Sequence, residues 1–121
     1  MKFCHVTINV GNMDESVRFY RDIIGLPVKR QFSPAPGMEI VFLGNDGETE
    51  IELIHNAART DIAVGRDISL GFFVGSVQET LESLQAQGIA TSELFQPAPG
   101  VRFFYVSDPN GVSIQFINSA G

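Results

Sequence analysis

Imidazole and carboxylate side chains are spaced along this 121-residue chain so that they fall on the faces of predicted strands. His5, Thr7 and Asn9 alternate with apolar residues, which is the period of a strand with unlike faces. Glu50 and Glu52 occupy a second alternating run in the same way. Such side chains exchange protons or hold divalent metals. The simpler alternative is that they form the solvated face of a sheet.

The sequence contains an internal repeat. The segment from Phe32 to Leu43 reappears from Phe95 to Val106, with Pro-Ala-Pro-Gly intact and apolar residues following at the same places. At the same offset, Glu52 of the first copy aligns with Gln115 of the second. One copy therefore carries a carboxylate where the other carries an amide.

Both copies show the order strand, helix, strand, strand, strand. Asn12 with Glu15 has the spacing of a helix capping box, and Ser76 with Glu79 repeats it. Gly25 is a natural left-handed helix terminator. The predicted strands cover residues 4–10, 26–32, 39–43, 50–55, 68–74, 89–95, 101–107 and 112–117.

The predicted fold class is therefore α+β, with two tandem βαβββ units that form a curved mixed β-sheet around a cleft and keep the helices outside. We expect one domain with unit 1 at residues 1–56, a linker at 57–67 and unit 2 at 68–121. Two units of this size are marginal alone, so we expect them to share a core.

The predicted cleft is lined by the residues opposite each helix-packed strand face. These are His5, Thr7, Asn9, Glu50 or Glu52, Ser69, Gly71, Phe73, Ser113 and Gln115. Arg102 is a candidate anchor for an anionic substrate, with an exposed strand arginine as the alternative. Cys4 is predicted to be a small buried hydrophobe rather than a reactive thiol.

Composition excludes several classes of partner. A net charge of −6 with only eight Lys and Arg residues argues against nucleic-acid binding. No apolar run is long enough to span a membrane, and the first residues lead straight into a strand pattern, so we expect a cytoplasmic protein. The single cysteine cannot form an internal disulfide.

The chain resembles the vicinal oxygen chelate superfamily, which includes glyoxalase I, extradiol dioxygenases, and fosfomycin- and bleomycin-resistance proteins. The resemblance covers essentially the whole chain. It rests on four features: His5 in an opening strand, Met13 to Tyr20 followed by Ile24-Gly25-Leu26, the Ile51-Glu52-Leu53 strand, and Asp108-Pro109-Asn110-Gly111 followed by Ile114-Gln115-Phe116.

In metal-dependent members of the family, four positions supply ligands, and here they hold His5, Glu52, Ser69 and Gln115. Two match the usual imidazole and carboxylate, and two depart from the family pattern. The resemblance implies a zinc, nickel, manganese or iron ion on His5, Glu52 and Gln115, or no metal at all. It also implies Glu52 as the catalytic base. The implied substrate contacts are Thr7, Asn9, Ser69, Phe73, Arg102 and Gln115.

Two functions follow from this resemblance. The first is a metal-assisted lyase or isomerase of glyoxalase type that acts on a small oxygenated substrate. The second is a metal-free protein that binds a small molecule, as drug-sequestering bleomycin-resistance proteins do. The dioxygenase reaction is disfavoured because only one of its two histidines is present at a matching position. We expect a homodimer, since sheet edges and apolar inner faces need more cover than one chain supplies.

Overall fold

Two four-stranded mixed sheets, each with its own helix, make up the fold. The structure is a computed structural model that describes residues 1–65 and 67–119. It divides into two units, Met1–Val64 and Gly65–Gly121. The predicted α+β class with tandem βαβββ units is confirmed. Within the described residues, no helix is long and apolar enough to cross a membrane.

Unit 1 contains four strands and one helix. They are β1 (His5–Asn9), α1 (Met13–Arg18), β2 (Val28–Phe32), β3 (Met38–Leu43) and β4 (Glu50–Asn56). The strand order is β1-β4-β3-β2, with β1 parallel to β4 and the other pairs antiparallel. The first strand therefore lies beside the last one of the unit.

Unit 2 repeats this topology. Its elements are β5 (Ser69–Val74), α2 (Val77–Ala86), β6 (Phe95–Ala98), β7 (Val101–Ser107) and β8 (Ser113–Asn118). The order is β5-β8-β7-β6, and β5 is parallel to β8. The sequence repeat is thus a repeat of backbone topology.

The first helix changes its pitch partway along. Asn12 accepts a hydrogen bond from the backbone N–H of Glu15 at 3.0 Å and so caps α1 as predicted. The chain then continues as a π-helical segment, Phe19–Ile24. It ends at Gly25, whose φ of 93° is left-handed and whose N–H donates to the carbonyl of Tyr20. The predicted terminator is confirmed.

Each helix packs on one face of the sheet of its own unit. Buried Met13 lies on α1, which packs against β4, and β4 contains the fully buried Leu53. Buried Tyr20 lies on the π-helical segment that continues α1. In the second unit, the predicted stripe of Val77, Leu81 and Leu84 is buried against β7 and β8. Apolar burial on these helix-side faces supplies the main stabilisation of each unit.

The prediction of a strand at residues 89–95 is wrong. β6 begins only at Phe95, and Ser92 meets β7 with one backbone bond and one side-chain bond: its N–H donates to the Tyr105 carbonyl at 2.8 Å. The Ser92 hydroxyl accepts a hydrogen bond from the N–H of Tyr105 at 2.8 Å, in the place where a strand would offer its backbone carbonyl. Pro97 lies within β6, the terminal strand of its sheet. A proline is tolerated on such a strand because its outer side needs no donor.

Two residues at the starts of predicted strands are exposed: Cys4, which was predicted to be buried, and Ile68, the first residue of the predicted strand 68–74. Cys4 precedes the first cross-strand pair, His5 with Glu50, and only its carbonyl joins the sheet, by accepting the Glu50 N–H at 2.9 Å. Ile68 precedes β5 in the same way and is 63% exposed. Alternation predicts burial only where the strand is paired along its length.

The second helix provides a test of the fold that is independent of function. The Ser76 hydroxyl accepts the N–H of Glu79 at 3.2 Å, so Ser76→Ala should lower the free energy of unfolding by about 1 kcal/mol. Ser83→Ala, which changes a serine inside the same helix, is the control and should not destabilise. Denaturant unfolding measures both, and equal midpoints for Ser76→Ala and wild type would contradict the assigned helix start.

Candidate functional site

In unit 1, parallel pairing of β1 and β4 places the predicted polar residues side by side. The pairing aligns His5 with Glu50 and Thr7 with Glu52. The neighbouring residues Ile51 and Leu53 are buried on the other face. The sheet therefore has one polar face, opposite the face that packs on the helix.

His5, Thr7 and Glu52 form one connected group. The Thr7 hydroxyl donates a hydrogen bond to Glu52 Oε1 at 2.5 Å, and His5 Nε2 lies 3.6 Å from the same oxygen. The Glu52 side chain is only 13% exposed, whereas that of His5 is 37% exposed. An oriented carboxylate beside an imidazole can accept a proton, or can share a cation with the imidazole.

An aromatic and cationic wall borders this group and was missed by sequence reasoning. Phe42 is the cross-strand partner of Glu52, and its ring meets the His5 ring edge to face at 5.6 Å. The Arg30 guanidinium carbon lies 4.0 Å from the Phe42 ring centroid, and Phe32 stacks at 6.4 Å. The pairing of Arg30 with Phe42 follows a register shift in the β2–β3 pair, which alternation alone does not show.

Glu50 lies on the same face but is turned toward Arg30. Its Oε1 is 3.4 Å from Arg30 Nη2, while its Oε2 is buried and has no hydrogen-bond partner among the described residues. Gly44 leaves room for this side chain, because a β-carbon there would lie 3.2 Å from Glu50 Cγ. The sequence showed only that Glu50 shares the facing of Glu52.

In unit 2, the corresponding face carries an amide and aromatic rings. Gln115 Nε2 donates to the Tyr105 hydroxyl at 3.3 Å. Gly71, its partner on β5, has no side chain, and a β-carbon there would lie 3.3 Å from Gln115 Oε1. The rings of Phe95 and Phe103 stack at 5.4 Å, and both meet Tyr105 edge to face. This face is neutral and aromatic, whereas that of unit 1 is charged.

The remaining predicted substrate contacts fall in different places. Asn9 is half-buried on the Thr7 face of β1, and Ser69 and Phe73 are exposed on the Gly71 face of β5. Arg102 alternates with Phe103 in β7, so it lies on the face opposite Tyr105 and Gln115. Its backbone N–H donates to Asn118 Oδ1 at 2.8 Å. The structure therefore does not bring Arg102 to the face of unit 2 that carries Gln115 and Tyr105.

The His5–Glu52 pair fits a divalent ion as two of its ligands. Bonds of about 2.0–2.2 Å to nitrogen and oxygen separate two neighbouring ligand atoms by roughly 3–3.5 Å. The observed 3.6 Å needs only a small adjustment. Within the described residues, no three His, Cys, Asp or Glu side chains are arranged to hold a metal. A complete site therefore needs a donor of another type or a moved carboxylate.

The comparison with known protein families gives a match over nearly the whole chain. A family model described as the Glyoxalase/Bleomycin resistance protein/Dioxygenase superfamily matches residues 2–116. The chain belongs to this superfamily. The match confirms, over nearly the whole chain, the resemblance noted in the sequence.

Relatives within the superfamily include proteins named as lyases. Lactoylglutathione lyase of Haemophilus influenzae is 31% identical, over 98% of this chain and 93% of its own. Lactoylglutathione lyase of Neisseria meningitidis is 27% identical, over 97% and 90%. A solved structure of the trypanothione-dependent glyoxalase I of Leishmania major matches with a TM-score of 0.78 and 26% identity, over 98% of this chain and 86% of that one.

The amide of Gln115 offers a local test of the unit 2 face. Tyr105→Phe removes its hydrogen-bond partner but keeps the ring packing, so the free energy of unfolding should fall by about 0.5–1.5 kcal/mol. In a Gln115→Ala background, Tyr105→Phe should lower the free energy of unfolding much less, because the hydrogen bond is already lost. Denaturant unfolding of the four proteins measures the coupling, and strictly additive effects would show that the bond does not form.

Proposed function

We propose that this protein is a metal-assisted lyase or isomerase of glyoxalase type that acts on a small oxygenated molecule. The observation that carries the proposal is the single carboxylate oxygen of Glu52 that meets both the Thr7 hydroxyl and His5 Nε2. Of the four predicted ligand positions, His5 and Glu52 have the side chains typical of the family, and these two lie together. The names of the relatives support the same reaction class.

Glu52 is the proposed base. In an isomerisation of this type, a carboxylate takes a proton from the carbon beside a carbonyl and returns it to the neighbouring carbon. Thr7 holds the Glu52 carboxylate in one orientation through a short hydrogen bond, so that the basic oxygen does not have to be ordered during the reaction. The low exposure of Glu52 limits competition from water.

His5 and Glu52 are the proposed metal ligands, with the Gln115 amide oxygen as a third. Zinc, nickel, manganese or iron suits such a set. A bound divalent ion would stabilise the negative charge that develops on the substrate oxygens. This assignment includes the sequence prediction that the polar faces of both units line one cleft. Asn9, Ser69 and Phe73 then remain proposed substrate contacts, whereas Arg102 is left out because of its facing.

A metal-free binding protein is the second candidate, and the face of unit 2 favours it. Gln115 replaces a carboxylate and is already engaged by Tyr105, and the neighbouring Phe95 and Phe103 are suited to holding a planar apolar ligand. In this case Glu52 and Thr7 would form hydrogen bonds to a polar group of the ligand without transferring a proton.

The two candidates differ in metal content and in the role of Glu52. Protein made without a polyhistidine tag should retain a divalent metal, and His5→Ala should lose it. Glu52→Gln should lower turnover of the glutathione–methylglyoxal hemithioacetal to lactoylglutathione by about 100-fold or more, because an amide cannot accept the proton. Ser83→Ala, a change at an exposed position of α2, serves as the control. A wild type without metal and without turnover would leave the binding protein as the better description.

We also propose a homodimer, because Phe73, Phe32 and Val28 remain exposed in the single chain. Multi-angle light scattering at tens of micromolar should give twice the chain mass. A mass equal to that of one chain, unchanged on concentration, would rule this assembly out.

A further inference from the structure

We propose that Glu50 is a third metal ligand held in reserve, and that Arg30 controls its release. An anionic group of the ligand would bind Arg30, free the Glu50 carboxylate and let it join His5 and Glu52 around the ion. This inference rests on the proposed metal site, and it identifies the ligand as a small oxygenated molecule that carries a carboxylate.

The position of Glu50 places it beside both proposed ligands of unit 1. It is the direct cross-strand partner of His5 and lies two residues from Glu52 on the same face. Successive same-face residues of a strand are about 6.6–6.8 Å apart, a span that a flexible glutamate side chain can largely cross. Its turn toward Arg30 explains why Glu50 does not form a three-ligand group with His5 and Glu52.

The Glu50 carboxylate has few hydrogen-bond partners in its present position. One carboxylate oxygen has a single long contact of 3.4 Å, and the other is buried without a hydrogen-bond partner among the described residues. A buried acceptor without a donor is costly. The Glu50 side chain lies against Gly44, where a β-carbon would come within 3.2 Å of Glu50 Cγ. A move toward a cation would therefore relieve an existing penalty.

Arg30 is placed so that a ligand carboxylate can replace its contact with the Glu50 carboxylate. Its side chain is 53% exposed, and its guanidinium rests on the Phe42 ring, whose edge-to-face partner is His5. A planar guanidinium prefers a bidentate carboxylate, which Glu50 does not provide at one 3.4 Å contact. A ligand carboxylate placed there would lie one aromatic ring away from the proposed reaction centre.

Because binding couplings are reciprocal, the proposal predicts that metal and carboxylate bind cooperatively. The experiment is a calorimetric titration of tag-free protein with zinc, with and without benzoate, and with neutral benzamide in its place. In the wild type, benzoate should raise zinc affinity by about tenfold and benzamide should not. Arg30→Met, which keeps an apolar side chain on Phe42, should raise zinc affinity by a similar factor without benzoate.

Shortening the reserve ligand separates ligation from simple charge effects. Arg30→Met with Glu50→Asp has the same charge as Arg30→Met but a carboxylate one methylene shorter, so the gain should be lost. Arg21→Met is the matched control, since Arg21 is also paired with an acid, at 2.8 Å from Asp22 Oδ1, but lies on the helix. It should leave zinc affinity unchanged. Circular dichroism confirms that each variant is folded.

Several results would overturn the proposal. Zinc binding that depends on His5 and Glu52 but is the same in wild type and Arg30→Met would leave the proposed function standing and remove the role of Glu50. A gain that survives Glu50→Asp would show that Arg30 acts only through its charge. Zinc binding absent from wild type and from Arg30→Met, with and without benzoate, would overturn both the reserve ligand and the metal-assisted function.

Discussion

The parallel pairing of the first and last strands of each unit is the constraint on which the rest of the structure depends. It brings Thr7 and Glu52 into contact although they are 45 positions apart in the chain. A parallel pair needs a long crossover, and here the helix and two further strands supply it. A shift of one residue in this pairing would turn every polar side chain of β1 toward the helix. The buried residues that fix the register therefore also fix the candidate site.

The two units use one backbone plan for two chemical surfaces. In unit 1, the face away from the helix carries an imidazole, carboxylates and an arginine around Phe42. In unit 2, an amide and a cluster of three aromatic rings occupy the equivalent places. The helix-side faces are apolar in both. The two units thus have apolar helix-side faces in common, whereas their opposite faces differ in charge and residue type.

Sequence patterns predicted the features that depend on local chemistry. Alternation gave the facing of His5 and Glu52, and the capping boxes gave the helix starts at Asn12 and Ser76. Features set by pairing between distant segments were not predictable in this way. The Ser92 side chain replaces a ladder partner, and Arg30 meets Phe42 only after a register shift. The Arg30–Glu50 contact depends on the register shift in β2 and on the absence of a side chain at Gly44. No pattern of neighbouring residues in the sequence indicates this contact.

The strands β2 and β6 each form one edge of their sheet, and both are largely exposed, but their chemistry differs. In β6, Pro97 removes a backbone donor, so an incoming strand would meet an interrupted ladder. In β2, a register irregularity near Lys29 and the ion pair of that lysine with Asp46 serve the same end. Each of these two edge strands thus has a feature of its own that disfavours pairing with another sheet edge. A chain with two open sheets needs such protection in each sheet, since unprotected edge strands can pair with those of neighbouring molecules.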